Sequence, residues 1–573
     1  MRGRAQWDWW SRRLAHRVSA LARLLRDPWP LVALLVVAIM LVFVAWPLAE
    51  LARQSLIGQE SGRFGLENYV AFFESRYFRR ALTNSLTIAA LGTAISLLLA
   101  VPLALAFARY DFRGKRWIEV AILMSMLSPP FVGAYAWILM FGRSGMVRQA
   151  LASIGIDIPP IYGTFGIALA TAFSHYPVMF LVVRSGLSRV NVGLEEAAAS
   201  LGRGRLAVIR TVTLPLVLPA LVTGILLVFL GILADFGTPS ILGEGERFPV
   251  LATLAFSLYL SEIGAEPGMA ATTAAILVLL AMTLVIFARW LAARRTVSND
   301  TSGTRVATKL RGGRGALMSL GTATLVLLAN MPLIVVVGSS FLEVRGVVFQ
   351  PALTLANYTN AFAALGDALW NSLRYAAIAL VMILVLGSLA GYLIARRSGL
   401  LSRLADLLIM VPYVVPGTVL GIGYASVFNQ PPLMLTGTAS IIVVMYVIRR
   451  LPFVARASAS IVYQIDRGLE EASQSLGVRP LGGFRRVMLP LMRPGLLAGA
   501  AIAWVEVFNE LSASIVLYTG GTRTLPVAAY QQSLAGDVGM AAAYATMLIA
   551  ITAGALALFI LLRGRGDGDV GVL

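Results

Sequence analysis

GLEEAAASLGRGRLAVIRTVTLPLVLP, at residues 193–219, is repeated as GLEEASQSLGVRPLGGFRRVMLPLMRP at residues 468–494. The two copies stay in register at a constant offset of 275 residues, so that Glu196 matches Glu471 and Gly202 matches Gly477. A repeated segment of this kind, charged and amphipathic within an apolar chain, indicates two related halves. It predicts a coupling element in each half that faces a partner with two-fold symmetry.

Composition predicts a membrane protein. Of the 573 residues, 58% are hydrophobic and 13% are charged, and the mean hydropathy is +0.80. A soluble core cannot bury this much apolar sequence, so we expect a polytopic membrane protein. The net charge of +19 does not indicate a nucleic-acid partner, because the basic residues lie between apolar runs rather than on one aromatic-rich face. The absence of cysteine excludes disulfides, thiolate catalysis and cysteine-ligated metal.

Twelve apolar stretches are long enough to cross about 30 Å of hydrocarbon. Span 10 is the weakest of them, because Arg449 and Arg450 shorten its apolar run. In chain order, the predicted spans 1–12 cover residues 30–50, 84–106, 117–141, 161–183, 212–234, 269–292, 316–341, 372–395, 404–428, 438–455, 488–512 and 541–562.

Basic residues predict the orientation of these spans, because Lys and Arg are retained on the cytoplasmic side. The two tails and the even-numbered loops hold 34 Lys and Arg residues, against 10 in the odd-numbered loops. Both termini are therefore expected in the cytoplasm. The arginine-rich start of the chain is followed by about 20 apolar residues, which favours a retained signal anchor over a cleaved signal peptide.

A polar, basic segment at residues 293–315 reads as a flexible cytoplasmic linker between two six-span halves. The predicted division is a cytoplasmic tail at 1–29, a first half at 30–292, the linker, a second half at 316–562 and a cytoplasmic tail at 563–573. Six spans per half give both halves the same orientation, which predicts a parallel repeat about an axis along the membrane normal. The pathway is expected between the halves.

Each repeated segment reads as a helix, a turn and a second helix. Glu195 and Glu196 fall in the first turn of the first helix, where carboxylates are favourable, and Gly202 allows a tight turn. The next helix carries an apolar ridge that can insert into a groove on a cytosolic partner. An interfacial helix lying on lipid is the alternative, and the matched Glu, Gly and Pro of two copies favour docking. The ridge residues are Leu206, Ile209, Val212 and Leu216, then Leu481, Phe484, Val487 and Leu491.

These segments, at 193–215 and 468–490, resemble the EAA loops of the membrane subunits of ATP-binding cassette importers. The second copy departs from that pattern only in Ser473, which replaces the second Ala by another small residue. The residues expected to couple to an ATPase are Glu195, Glu196, Ala197, Gly202, Leu214 and Pro215, with Glu470, Glu471, Ala472, Gly477, Leu489 and Pro490.

The resemblance extends over both halves, and the chain as a whole looks like the fused ferric-iron permeases. Ala234 to Pro239 (ADFGTP) and Asn509 to Ala513 (NELSA), which follow the two loops, belong to it. It implies an all-α, type I importer fold of twelve helices in a bacterial inner membrane, with two cytosolic ATPase subunits and a periplasmic substrate-binding protein. Thiamine, phosphonate and polyamine remain alternative substrates. No cofactor is expected in this chain, because it lacks a phosphate-binding loop, and ATP-Mg is expected in the partner subunits.

Ionisable side chains inside spans are costly and are therefore candidates for function. Glu506, Asn509 and Glu510 share one helix face, and Asp235 is the positional twin of Glu510. All four are predicted to line the path between the halves, with Asp235 and Glu510 as transient oxygen ligands of a ferric ion. The alternative places these carboxylates at the external headgroups or in structural pairs with arginine.

Weaker candidates lie in other spans. His175 is expected to be a packing residue rather than a proton relay, and Tyr135, Tyr413 and Tyr424 to be interfacial anchors rather than oxygen ligands. Prolines interrupt spans 3 and 9, where kinks either open a cavity or fit helix packing. They are Pro129, Pro130, Pro412 and Pro416.

A secondary transporter of the major-facilitator type is the competing class, since it also has two parallel six-span halves. The segment Asp111 to Arg116 (DFRGKR) between spans 2 and 3 matches the basic loop signature of that class only faintly. A membrane enzyme is not indicated, because no metal motif or nucleophile elbow is present.

Overall fold

The protein is described by a computed structural model, which covers residues 27–59, 61–243, 247–261, 266–293, 308–346 and 348–563. Most of the predicted linker and nearly all of both predicted tails lie outside the described residues.

The first half consists of helices joined by short turns. Two π-helical turns, Leu41–Ala45 and Ile209–Thr213, continue directly into the helices that follow them. The α-helices are α1 (Trp29–Met40), α2 (Trp46–Ser55), α3 (Glu67–Glu74), α4 (Arg76–Arg109), α5 (Lys115–Met124), α6 (Pro130–Phe141), α7 (Met146–Ala152), α8 (Gly163–Ser188), α9 (Val192–Ser200), α10 (Arg205–Val208), α11 (Leu214–Leu233), α12 (Gly237–Gly243), α13 (Leu251–Leu260) and α14 (Pro267–Ala293).

The second half repeats this order and adds a β-hairpin. Strand β1 (Tyr110–Asp111) pairs in parallel with β2 (Thr308–Lys309), and β3 (Leu342–Arg345) pairs antiparallel with β4 (Val348–Leu353). The α-helices are α15 (Gly312–Ser339), α16 (Ala356–Arg396), α17 (Leu400–Val414), α18 (Gly417–Val427), α19 (Ala439–Gln464), α20 (Gly468–Ser475), α21 (Pro480–Gly483), α22 (Leu489–Leu491), α23 (Arg493–Phe508), α24 (Ser514–Leu517), α25 (Leu525–Ala535) and α26 (Val538–Arg563), with a π-helical turn at Phe484–Met488.

Among the described residues, eight helices are long and apolar enough to span a membrane, and three further pairs of helices do so as bent spans. The bends lie in span 3 (99°), span 9 (110°) and span 11 (72°). The remaining span is α19, which is as long as its counterpart α8 but carries Arg449 and Arg450 in its middle. The prediction that span 10 has the weakest apolar signal is confirmed, because α19 is not among the helices that are apolar enough, although the helix itself runs through both arginines to Gln464.

The first span of each half packs against the other half. Helix α1 contacts α16 and α17, and α15 contacts α5 and α6. Asp27 accepts a hydrogen bond from Arg397 (2.9 Å), and Asn330 of α15 donates to the carbonyl of Ala121 (3.1 Å). This exchange locks the two halves together.

Short helices between spans 5 and 6, and between spans 11 and 12, complete the core. All seven residues of α12 are buried, and α13 and α25 bury their first turns. Equivalent side chains hold these segments: Ser85 accepts from the Leu251 amide (2.8 Å), and Ser372 accepts from the Leu525 amide (2.7 Å). These buried helices brace the end of the molecule that lies opposite the repeated segments.

Candidate functional site

A cavity of about 270 Å³ lies between the two halves. The breaks of spans 3 and 9 both reach it, with Pro129 and Pro130 from one half and Val414 and Val415 from the other. Proline at these breaks removes a backbone donor and ends the helix, so unpaired backbone faces a cavity rather than lipid. Broken spans that meet at a repeat interface are where transporters place their substrate sites.

The second half contributes a paired charge cluster to this cavity. Glu510, which is 3% exposed, forms ion pairs with Arg449 (2.5 Å) and with Arg450. Arg450 also pairs with the more exposed Glu506, at 2.9 Å. Both Glu510 oxygens are therefore occupied by guanidinium groups, as the alternative of structural pairing with arginine predicts.

The first half has a different set of side chains at the matched positions. At the offset of 275 residues, His175 stands for Arg450, Gly231 for Glu506, and Asp235 for Glu510. The His175 ring packs against Gly231, where an added Cβ would lie 2.8 Å from Nε2. His175 therefore lines the cavity, and the missing side chain at Gly231 gives it room.

Asp235 and Asn509 bring oxygen atoms to the cavity from opposite halves. Asp235 follows span 5, and its Oδ1 accepts from the Gly237 amide (2.9 Å), the first residue of α12. Asn509 donates to the Leu127 carbonyl of the other half (3.1 Å). Asp235 Oδ2 and Asn509 Oδ1 are buried and have no hydrogen-bond partner among the described residues.

All four predicted path residues thus line one cavity, with Tyr413 among their neighbours. Tyr135 instead donates to the Val538 carbonyl (2.7 Å), and Tyr424 packs against Phe428. Within the described ranges, no three His, Asp or Glu side chains come together as metal ligands.

The repeated segments have the same local structure in both halves. The side chains of Asn191 and Asp466 each accept from the backbone amide two residues later (both 2.9 Å), which starts the first helix. Gly202 and Gly477 then turn the chain with φ of +80° and +79°, a conformation that an L side chain rarely adopts. After each turn, the chain re-enters the membrane through Leu214-Pro215 and Leu489-Pro490. We call the stretches 192–213 and 468–488 the coupling segments.

A glutamate anchors each coupling segment to the end of a long span. Glu195 accepts from Arg109 at the end of α4 (2.7 Å) and from Thr213 (2.5 Å). Glu470 accepts from Arg396 at the end of α16 (2.6 Å) and from Tyr392 (2.8 Å). These two glutamates therefore face inward and position the segment, whereas Glu196, Ala197, Glu471 and Ala472 are exposed.

Three leucines of each coupling segment lie on its exposed surface. Leu201 and Leu476 are both 84% exposed, and they sit beside exposed arginines such as Arg203 and Arg479. The six leucines, which we call the leucine triads, are Leu194, Leu201 and Leu206 with Leu469, Leu476 and Leu481. The predicted ridge is wrong in one respect, because Phe484 turns inward and packs against Trp29 and Tyr392.

The two coupling segments differ in how they join the membrane. In the first half, the chain from Leu206 to Leu233 forms one continuous span. In the second half, it bends by 72° between Leu491 and Arg493. Pro494 lies in the first turn after that bend, whereas its counterpart Pro219 is accommodated inside α11.

Two parallel halves, broken spans around a shared cavity and two matched coupling segments define a membrane transport permease. Comparison with family models agrees, because residues 97–297 and 383–564 both match the binding-protein-dependent transport system inner membrane component. The chain belongs to this family. This membership excludes the competing major-facilitator class.

The chain is similar to ferric permeases over most of its length and to a molybdenum permease over a smaller part. The ferric transport system permease protein FbpB of Actinobacillus pleuropneumoniae is 29% identical over 90% of this chain and 75% of its own length. The putative ferric transport system permease protein FbpB 1 of Haemophilus influenzae is 30% identical over 86% of this chain and 79% of its own. The molybdenum transport system permease protein ModB of Escherichia coli is 32% identical over 39% of this chain and 96% of its own.

Among solved structures, a bacterial ABC transporter involved in the import of the polysaccharide alginate matches with a TM-score of 0.41. It is 23% identical and covers 49% of this chain and 100% of that one.

Sequence reasoning missed the role of the two arginines in span 10. Arg449 and Arg450 enter the cytoplasmic count of basic residues, but they lie in the membrane beside the cavity. Without them, the count is 32 against 10, and the predicted orientation is unchanged. Arg449 and Arg450 precede Pro452 by the same number of residues as Ser174 and His175 precede Pro177 in span 4. This match between the halves could have placed the two arginines inside span 10.

Proposed function

We propose that this chain is the membrane subunit of an importer for ferric iron. The observation that carries this proposal is the length of chain that the relatives match, because those named as ferric permeases align across both halves. The molybdenum permeases align with less than half of the chain. A substrate assignment from relatives that share the fused architecture is therefore better supported than one from relatives of a single half.

The proposed energy source is ATP hydrolysis in two cytosolic subunits, one on each coupling segment. The leucine triads supply an apolar surface rimmed by arginine, which fits a groove on a protein partner. ATP-Mg belongs to those subunits in this proposal, and the chain itself is not catalytic. The excess of basic residues in the tails and even-numbered loops supports a cytoplasmic location of the coupling segments and both termini, with the binding protein delivering substrate to the opposite, periplasmic side.

The proposed path runs through the cavity. Asp235 Oδ2 and Asn509 Oδ1 are the oxygens that a hard cation meets without displacing a guanidinium group. Glu510 is less available, because both of its oxygens pair with arginine. We therefore assign the first contact with the ferric ion to Asp235 and Asn509, and a gate between the halves to the Glu510 cluster.

The test is uptake of radiolabelled ferric ion into proteoliposomes that hold this chain, its ATPase and its binding protein. Asp235→Asn is expected to lower uptake at least ten-fold while ATP hydrolysis continues. Asp157→Asn, an exposed carboxylate outside the spans, serves as the matched control and should leave uptake unchanged. Inhibition by excess thiamine, phosphonate, polyamine or molybdate, but not by iron, would refute the ferric assignment. Recovery of the chain without any ATPase would refute the importer assignment.

A further inference from the structure

A second, larger cavity of about 990 Å³ lies beside the first coupling segment. The end of α4 and the start of α15 form its walls, and the anchoring pair of Arg109 and Glu195 lies in it. We call it the basal groove. It lies at the end of the molecule that carries the coupling segments, and the matched place in the second half is filled.

Aromatic packing fills the matched place. Trp29, at the start of α1, is 1% exposed and lies 4.1 Å from the Tyr392 ring and 5.3 Å from the Phe484 ring, measured between ring centroids. These three rings occupy the space between the first span, the long span and the coupling segment of the second half. They form a plug of apolar side chains.

The first half lacks this plug because each ring is replaced. The Ser55 hydroxyl is hydrogen-bonded to the Tyr69 hydroxyl (2.9 Å), and the Ser340 hydroxyl to the Tyr358 hydroxyl (2.8 Å). This equivalence aligns span 1 with span 7, so that Arg314 occupies the position that corresponds to Trp29. The alignments of Asn84 with Asn371 and of the coupling segments likewise place Leu105 at Tyr392 and Ile209 at Phe484. An exposed arginine and two aliphatic side chains leave the groove open.

The open groove has a basic end and an apolar wall. Arg203 and Arg314 are exposed at one end, and neither has an ion-pair partner within the part of the chain that the structure describes. Leu317, Gly321 and Leu325 continue the wall along α15. The 11 residue steps from Arg314 to Leu325 rise about 16.5 Å, which is close to the half-thickness of the hydrocarbon core, about 15 Å.

We propose that the basal groove binds one anionic glycerophospholipid. Arg203 and Arg314 hold its phosphate, and an acyl chain lies along α15 across the depth of one leaflet. Basic pockets between spans are suited to anionic headgroups, and the apolar wall favours a lipid over a free phosphate. The neighbouring residues 294–307 are a poor occupant, since they carry Arg294, Arg295 and Arg305 against one Asp300. Because Glu195 and Arg109 line the groove, the lipid contacts the anchor of the first coupling segment only.

The test is native mass spectrometry of the purified full chain, titrated with phosphatidylglycerol or with phosphatidylethanolamine of the same acyl chains. We expect one retained phosphatidylglycerol and a preference of about 30-fold, since each arginine near an anionic headgroup contributes about five-fold. Arg314→Gln should lower the preference to about five-fold. The matched control Arg210→Gln, an exposed arginine of the same coupling segment, should not change it.

A second variant tests the apolar wall without touching charge. Gly321→Leu fills the groove from a helical position that has no heavy atom within 4 Å of the added Cβ, so folding is preserved and lipid retention is lost. Gly338→Leu adds the same side chain at an equally open site on the other end of α15 and should retain lipid.

Several outcomes would overturn the proposal. One is equal retention of the two lipids, and another is lipid retention that survives Gly321→Leu. Displacement of the lipid by soluble glycerol phosphate would assign the site to a free phosphate. Lipid binding that appears only after deletion of 294–307 would assign the groove to that segment.

Discussion

Removal of the Glu510 carboxylate should leave the buried guanidinium group of Arg449 without an ion-pair partner in the cavity between the halves. In the variant Glu510→Gln, Arg450 keeps Glu506 as a partner, but Arg449 loses the carboxylate with which it forms its ion pair. The Arg449 side chain is 12% exposed, so water cannot replace that partner fully. Breaking a buried pair in this way costs about 3–5 kcal/mol of the free energy of unfolding.

The measurement is denaturant unfolding of the purified chain in detergent micelles, followed by tryptophan fluorescence. Glu506→Gln is the matched control, because the Glu506 side chain is 40% exposed and its loss should cost about 1 kcal/mol or less. The double variant Glu510→Gln with Arg449→Gln removes both charges and should recover most of the loss. Equal destabilisation by the two single Glu variants, or strictly additive costs in the double variant, would refute the reasoning.

Three further predictions follow from packing and from the coupling segments. Trp29→Ala empties the aromatic plug and should cost about 3–5 kcal/mol in the same unfolding measurement; an unchanged midpoint would show that the plug collapses without cost. Gly391→Ala should destabilise by about 1–3 kcal/mol, because its Cβ would lie 2.4 Å from the Ser458 Cβ, whereas Gly338→Ala should be neutral. Glu471→Ala should weaken recovery of the ATPase on affinity purification and change stability by no more than about 0.5 kcal/mol, whereas the anchor variant Glu470→Ala should lower both; loss of stability in Glu471→Ala would contradict its exposed position.

The coupling segments were the most predictable part of the molecule. Their helix, turn and re-entry are set by local sequence, since Gly202 and Gly477 fix the turn and a proline follows in each copy. Glu506, Asn509 and Glu510 line one cavity as predicted, although the helix expected to carry all three ends at Phe508, and the repeat offset brought Asp235 to the same cavity. Local rules and internal repetition were sufficient for these features.

Contacts between distant parts of the chain were not predictable. Span hydropathy is the same whether span 1 packs on its own half or on the other, so the exchange of first spans left no signal in the sequence. The inward turn of Phe484 depends on Trp29, 455 residues earlier in the chain, and helical periodicity alone placed it on the exposed ridge. The ion pairs of Glu510 depend on α19 in the same way, since charge alone does not show which helix supplies the partner.

The exchange of first spans also constrains how the protein is made. Asp27 and its partner Arg397 are 370 residues apart, and a ribosome that adds about 5–20 residues per second needs roughly 20–70 s to cover that distance. During this interval, helix α1 at the start of span 1 rests in the bilayer without its neighbours α16 and α17, which an apolar helix tolerates because its backbone hydrogen bonds are already formed within the helix. Assembly of the second half therefore requires the later helices α16 and α17 to pack against helix α1, which is already in the membrane. A factor that shields a solitary helix at the insertion site would act on this protein early, before its halves can recognise each other.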